Sequence, residues 1–198
     1  VSNVVAGGSA LSVLFICTGN ICRSPLAAQV FSSQLTTLGV RGSFDISSAG
    51  TAAEIGMPLN SQSAKSMAGL KVEPQDHVAQ QVTRSLVENA NLVLVATTEH
   101  RAEIARLMPR ATRYSFTMLE LARIATYLQS NPEALADTAQ PTDLVAKIAF
   151  ANQYRGYAPP PSAPEDIDDP WGLDQTIFDR VAAEIFESSA TIARWLAS

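Results

Sequence analysis

Cys17 and Arg23 stand at the two ends of a short loop, with Thr18, Gly19, Asn20, Ile21 and Cys22 between them. That spacing can fold a backbone around a tetrahedral oxyanion. Gly19 and Asn20 tolerate positive φ, so successive N–H groups can turn inward as an anion nest. A helix-like stretch opens at Ser24, and the positive end of its dipole adds to the nest. The chemistry this favours is nucleophilic, because a cysteine at the bottom of such a nest is held as the thiolate, its reactive form. Arg23 supplies a planar fork that can grip two oxygens of one phosphate. A cysteine packed in a core with an arginine nearby by chance is the plain alternative. Strand end, nest residues, arginine and helix opening are far more restrictive together, and all four occur within 15–25 (FICTGNICRSP).

A second cluster stands near the other end, Ile167-Asp168-Asp169-Pro170-Trp171-Gly172. A carboxylate before a proline, on a loop ahead of a last helix, can serve as a general acid, although acidic residues are also common before a first helical turn. Asp168, Asp169 and Asp174 are close in sequence, and their mutual repulsion is expected to favour a protonated form of one of them.

The segment 15–25 closely resembles the signature of the low-molecular-weight protein tyrosine phosphatase family, in its bacterial form. The resemblance covers most of 11–122 and 167–198 and is specific mainly at the two motifs. It implies that Cys17 attacks phosphorus in line while Arg23 and the amides of Thr18, Gly19, Asn20, Ile21 and Cys22 hold the equatorial oxygens. Asp169 takes the family's acid position: it would protonate the leaving oxygen, then as base direct water onto the phosphocysteine. No metal and no cofactor are implied, and no His/Cys cluster has metal-ligand spacing. In supporting roles, Ser24 would donate to the thiolate. The family braces the loop asparagine with a serine and a histidine, and Ser48 in ISSAG and His77 in DHVAQQVT match those places. Ile21 and Trp171 would flank the substrate at the mouth. Cys22 is a candidate redox partner, forming a disulfide with Cys17 against irreversible oxidation; a small buried helix residue is the alternative.

The implied partner is a phosphorylated protein, with phosphotyrosine favoured because Ile21 and Trp171 suit an aromatic ring. Protein arginine-phosphate stays open, since Gly172 follows Trp171 as in arginine-directed relatives and a guanidinium can also stack on an indole. A phosphate-binding or docking protein with weak activity is a further alternative. An arsenate reductase would need relay cysteines beyond Cys17 and Cys22, and the chain has none.

The elements that must position these residues follow from patterning. Residues 11–16 read as a buried strand, 44–48 as a second, 91–96 as a third and 113–116 as a short fourth. Helices are expected over a stretch opening at Ser24 and stopping by Gly39, over 61–70 with Ala64, Met67 and Ala68 inward, from Thr83 to about residue 89, over 99–107, over 117–128, and over 143–154 with Leu144, Ile148 and Ala151 on one side. A long amphipathic helix over 174–196 would pack through Ile177, Val181, Ile185, Ile192 and Leu196. Strands alternating with helices predict an α/β fold: a doubly wound four-stranded parallel sheet with helices on both faces. A helical, proline-rich insertion, about 123–167, precedes the acid loop. Asn131, Pro132 and Pro141 break it, and YAPPPSAP reads as polyproline-like. Residues 1–10 are expected to be a flexible end before one domain over 11–198.

At 198 residues and 46% hydrophobic, the chain can bury a substantial single core. A net charge of −5 argues against general nucleic-acid binding. No apolar run reaches the ~20 residues of a membrane span. The opening residues lack the pattern of a signal peptide, and two cysteines in one motif point to a reducing compartment, the cytoplasm. Oligomeric state is left open by the sequence.

Overall fold

Every residue of the first strand, β1 (Leu11–Cys17), is buried apart from Ser12, which is half-buried. Successive side chains of a strand point to opposite faces. Val13, Phe15 and Cys17 accordingly enter one core, and Leu14 and Ile16 enter another on the reverse side. In this computed structural model, which describes residues 10–131 and 141–198, β1 is the centre of a four-stranded sheet. Its neighbours are β2 (Phe44–Gly50) and β3 (Leu92–Val95), and β4 (Ser115–Thr117) lies outside β3, giving the order β2-β1-β3-β4 with every pair parallel.

Helices cover both faces. On one lie α1 (Arg23–Thr37), α2 (Ser61–Gly69), α5 (Met118–Ser130), α6 (Leu144–Gln153) and the long α7 (Gln175–Ala197), all contributing to the larger core. On the other lie α3 (Arg84–Asn89) and α4 (Thr98–Leu107), which bury Val87 and Ile104 against Leu14, Ile16, Val93 and Val95. Hydroxyl and carboxamide caps start several of them. Thr83, Thr97 and Thr117 each accept a backbone N–H from the first turn, as does Asn60 ahead of α2. Such a cap contributes about 1 kcal/mol. Parallel strands aim their carboxyl ends the same way, and the loop after Cys17 opens at that edge.

Several sequence expectations are corrected by packing. In α2, Ala68 is exposed and Ala64 half-buried, whereas Ser63, Ser66 and Met67 face inward. The reason is polar: Ser66 Oγ donates to Asp179 Oδ1 of α7 at 2.7 Å, so the helix turns its hydroxyl face to its neighbour. α5 continues to Ser130, two residues beyond the expected end. In α6 the inward face includes Lys147, whose Nζ reaches the carbonyls of Trp195, Leu196 and Ser198 at the end of α7. The core of α7 also takes in Phe178 and Trp195, and Ile177 is only half-buried. The fourth strand begins at Ser115, after a 3₁₀ turn over Pro109–Arg113. The flexible end expected at 1–10 falls, except for Ala10, outside the described residues, as does Pro132.

Candidate active site

Asn20 is the one non-glycine of the loop with left-handed backbone, at φ +56°. Gly19, expected to share that conformation, does not adopt it. Asn20 is held there because its side chain and its carbonyl are all bonded. Its Nδ2 donates to Ser24 Oγ and to Ser48 Oγ, both at 2.9 Å, and its Oδ1 accepts the Gln80 N–H at 2.9 Å. The His77 Nε2–H donates to its carbonyl at 2.7 Å. Asn20 is fully buried, so each unpaired group there would cost about 1–3 kcal/mol. Ser48 and His77 therefore stand where the sequence placed them; Gln80 was not foreseen.

Cys17 ends β1 with its Sγ 3.0 Å from Ser24 Oγ. Ser24 Oγ also accepts a hydrogen from Asn20 and lies 3.4 Å from the Ala49 carbonyl. The loop lies close against β2, where Cys17 pairs with Gly50. A Cβ on Gly50 would come within 2.3 Å of the Thr18 carbonyl oxygen, so only glycine lets the strand approach the loop. Both cysteines are free and buried. Burial pushes the Cys22 thiol up to about 12, with the neighbouring Cys17 adding to the shift.

Arg23 is 5% exposed and joins the two motifs. Its Nη1 donates to the Ile167 carbonyl at 3.1 Å and its Nη2 to Asp169 Oδ2 at 2.5 Å, across 146 residues of chain. Nη2 also donates to Thr18 Oγ1 at 3.3 Å, while the buried Nε–H has no protein acceptor. Asp169 is half-exposed, and its Oδ1 accepts the Trp171 N–H at 3.1 Å. Cys17, Arg23, Asp169, Ile21 and Trp171 line one pocket, together with Ala52 and Glu54 from the loop after β2, which sequence reasoning passed over.

The three aspartates expected to repel one another each have a partner of their own. Asp168 pairs with Arg180 at 2.8 Å, and Asp169 with Arg23. Asp174 caps α7; hydrogen bonds from the Thr176 side chain and from the first backbone N–H groups hold its carboxyl below the usual range.

A further residue, His100, was missed altogether. Its Nε2 lies 2.9 Å from Thr18 Oγ1, and its Nδ1 2.7 Å from Thr97 Oγ1. Burial, and then the nearby Arg23 guanidinium, lower its pKa below 6.5. An imidazole kept neutral in the fold lets the unfolded chain bind the extra proton first. The contribution of His100 to stability is therefore fully present above about pH 6.5 and is lost as pH falls towards the folded value. Denaturant midpoints of wild type and His100→Gln, compared at pH 7.5 and pH 5, should show the wild type losing more on acidification. Equal losses would contradict a neutral buried imidazole.

The description "low molecular weight phosphotyrosine protein phosphatase" belongs to the family model that matches residues 12–152. The chain belongs to this family. The match contains the loop from Cys17 to Arg23 and ends before Asp169. A probable low molecular weight protein-tyrosine-phosphatase, EpsP, of Ralstonia nicotianae is 34% identical over 110 residues, 56% of this chain and 72% of that protein. A protein-arginine-phosphatase of Bacillus subtilis is 31% identical over 110 residues, 56% of this chain and 71% of its own length. Among solved structures, a YwlE mutant from Bacillus subtilis aligns with a TM-score of 0.69 at 23% identity, covering 96% of this chain and all of that one. The Erwinia amylovora tyrosine phosphatase AmsI aligns with a TM-score of 0.65 at 21% identity, covering 96% and 95%. These likenesses establish the fold. Among the described residues no helix is long and apolar enough to cross a membrane.

Proposed function

We propose that this chain is a metal-independent, cysteine-dependent phosphomonoesterase acting on phosphoprotein, with phosphotyrosine as the main substrate. The observation that carries the reading is the single pocket in which Cys17, the Arg23 fork and the Asp169 carboxylate converge. Thr18, Gly19, Asn20, Ile21 and Cys22 supply the amides of the phosphate cradle. The unpaired Arg23 Nε–H supports it too: a buried donor without an acceptor costs about 1–3 kcal/mol, which a bound oxyanion would remove.

Cys17 Sγ attacks phosphorus, the P–O bond to the substrate breaks, and Asp169 gives its proton to the departing oxygen. Arg23 and the loop amides hold charge on the three remaining oxygens. Asp169, now a base, takes a proton from water, which displaces Cys17 from the phosphocysteine. Ser24 and Asn20 keep the sulfur and the loop in place; Ser48 and His77 hold Asn20. Ile21 and Trp171 flank the substrate side chain. Cys22, kept as a thiol by burial, is the proposed disulfide partner of an oxidised Cys17. Residues 11–198 act as one domain, with the stretch of about 123–167 as an insertion before the acid loop. A reducing compartment, the cytoplasm, suits two free thiols.

Protein arginine-phosphate is the second reading. Gly172 has no side chain, so the wall after Trp171 carries no second aromatic, and a relative of similar identity is named for that activity. Hydrolysis of p-nitrophenyl phosphate in the presence of EDTA, followed by paired phosphotyrosine and phosphoarginine peptides, tests both. Turnover that requires added metal would overturn the proposal, and a preference for phosphoarginine would reverse the order of substrates.

A further inference from the structure

Two residues outside these roles, Asp166 and His100, meet on opposite sides of one helical turn. The turn is the start of α4, residues 97–100, immediately after β3. On one side, Asp166 Oδ1 accepts the Thr98 N–H at 2.7 Å and its Oδ2 accepts the Thr98 hydroxyl at 3.2 Å. The next residue, Ile167, donates its N–H to the Ala96 carbonyl at 2.8 Å. On the other side, Thr97 Oγ1 contacts His100 Nδ1, and His100 Nε2 contacts Thr18 Oγ1 at 2.9 Å. Thr18 Oγ1 accepts from Arg23 in turn. One turn thus touches the loop bearing Asp169 through Asp166 and the loop bearing Cys17 through His100.

We propose that the first turn of α4 is a bracket that sets the acid loop against the phosphate loop, with Asp166 and His100 as its positioning residues. The proposal rests on the phosphatase reading. A general acid must stay within about 2.6–3.2 Å of the oxygen it protonates. Asp169 is half-exposed and is held in the free enzyme by Arg23, the group a phosphate would engage. Once Arg23 turns to substrate, its pairing with Asp169 weakens. Beside the exposed Asp168–Arg180 pair, the bonds that then hold the loop's height include Asp166 to Thr98 and Ile167 to Ala96. Asp166 is well suited, because its charge faces the positive end of α4 and satisfies donors that the helix cannot. Upstream, Arg123 clamps Glu165 through Nε at 2.6 Å and Nη2 at 3.1 Å, so the bracket receives a loop already tethered to α5.

The test measures kcat on aryl phosphates of graded leaving-group basicity, with vanadate inhibition as a separate readout of the phosphate loop. Asp166→Ala should lower kcat about threefold to thirtyfold on phenyl phosphate and less on p-nitrophenyl phosphate, the loss expected of a missing cap passed on to the acid. Its vanadate inhibition should stay within about twofold of wild type. Asp166→Asn keeps an oxygen for the Thr98 N–H and should recover most of the loss. His100→Ala should instead weaken vanadate about threefold to tenfold while the leaving-group dependence stays that of wild type. Thr98→Val removes only the hydroxyl partner of Asp166 and should steepen the dependence in smaller measure, which keeps the test open should Asp166→Ala not fold. Losses independent of the leaving group in the Asp166 and Thr98 variants would overturn the bracket, as would unchanged kinetics. A wild type that neither turns over aryl phosphates nor binds vanadate would instead remove the phosphatase reading itself.

Discussion

Cys17→Ser is expected to lose turnover on every phosphate ester while still binding vanadate or phosphate. The substitution changes one atom at the bottom of the cradle. Arg23, the loop amides and the hydrogen bonds of Asn20 do not depend on the sulfur, so the anion site persists. What disappears is the nucleophile: an alcohol at neutral pH is barely ionised, and no histidine is placed to take its proton. His77 is committed to the Asn20 carbonyl, and His100 to Thr18 and Thr97. Steady-state rates with p-nitrophenyl phosphate, beside vanadate titration by calorimetry, check both halves. Residual activity above about one part in a hundred would remove Cys17 from the nucleophile role.

The second large effect is that of Asp169→Asn, which keeps size and the bond from the Trp171 N–H but removes the transferable proton. General acid catalysis is worth roughly a hundred- to ten-thousand-fold. Phosphotyrosine, with its basic phenolate leaving group, should suffer most, and p-nitrophenyl phosphate least. Asp168→Asn next to it should change rates only modestly, since that carboxylate faces Arg180 rather than the pocket. The pairing of Arg23 with Asp169 is what separates the two neighbours. Should Asp168→Asn instead carry the leaving-group dependence, the acid would be one residue earlier in the loop.

The phosphate loop was legible in the sequence because its determinants are local. The spacing of Cys17 and Arg23, an Asn20 that tolerates positive φ and a helix opening at Ser24 stand within a few residues of one another, although the bonds that hold Asn20 come from Ser48, His77 and Gln80. The α/β class was legible for a similar reason: buried strands such as 91–96 and amphipathic runs such as 174–196 report their own periodicity. Local signal also misleads where a side chain is chosen by a distant neighbour. Ser66 faces inward for Asp179, and Lys147 is buried among the last carbonyls of α7; neither preference is written in the residue's own helix.

Tertiary structure decided which carboxylate meets Arg23. Three aspartates within seven positions look mutually repulsive on paper, but in the fold each is assigned a different partner, and only Asp169 reaches the guanidinium. It also decided the use of His100, a residue with no motif around it. His100 gains its place because parallel strands bring the loop after β1 and the turn after β3 to the same edge of the sheet, 82 residues apart in sequence. Gly50 is explained the same way, by a strand pressed against the Thr18 carbonyl. The sequence by itself thus determined the strand-end loop from Cys17 to Arg23 and the strand–helix alternation, because these depend on neighbours along the chain. The pairing of Asp169 with Arg23, the contacts of His100 and the proposed bracket depend on approach across the sheet, which only the packed fold brings about.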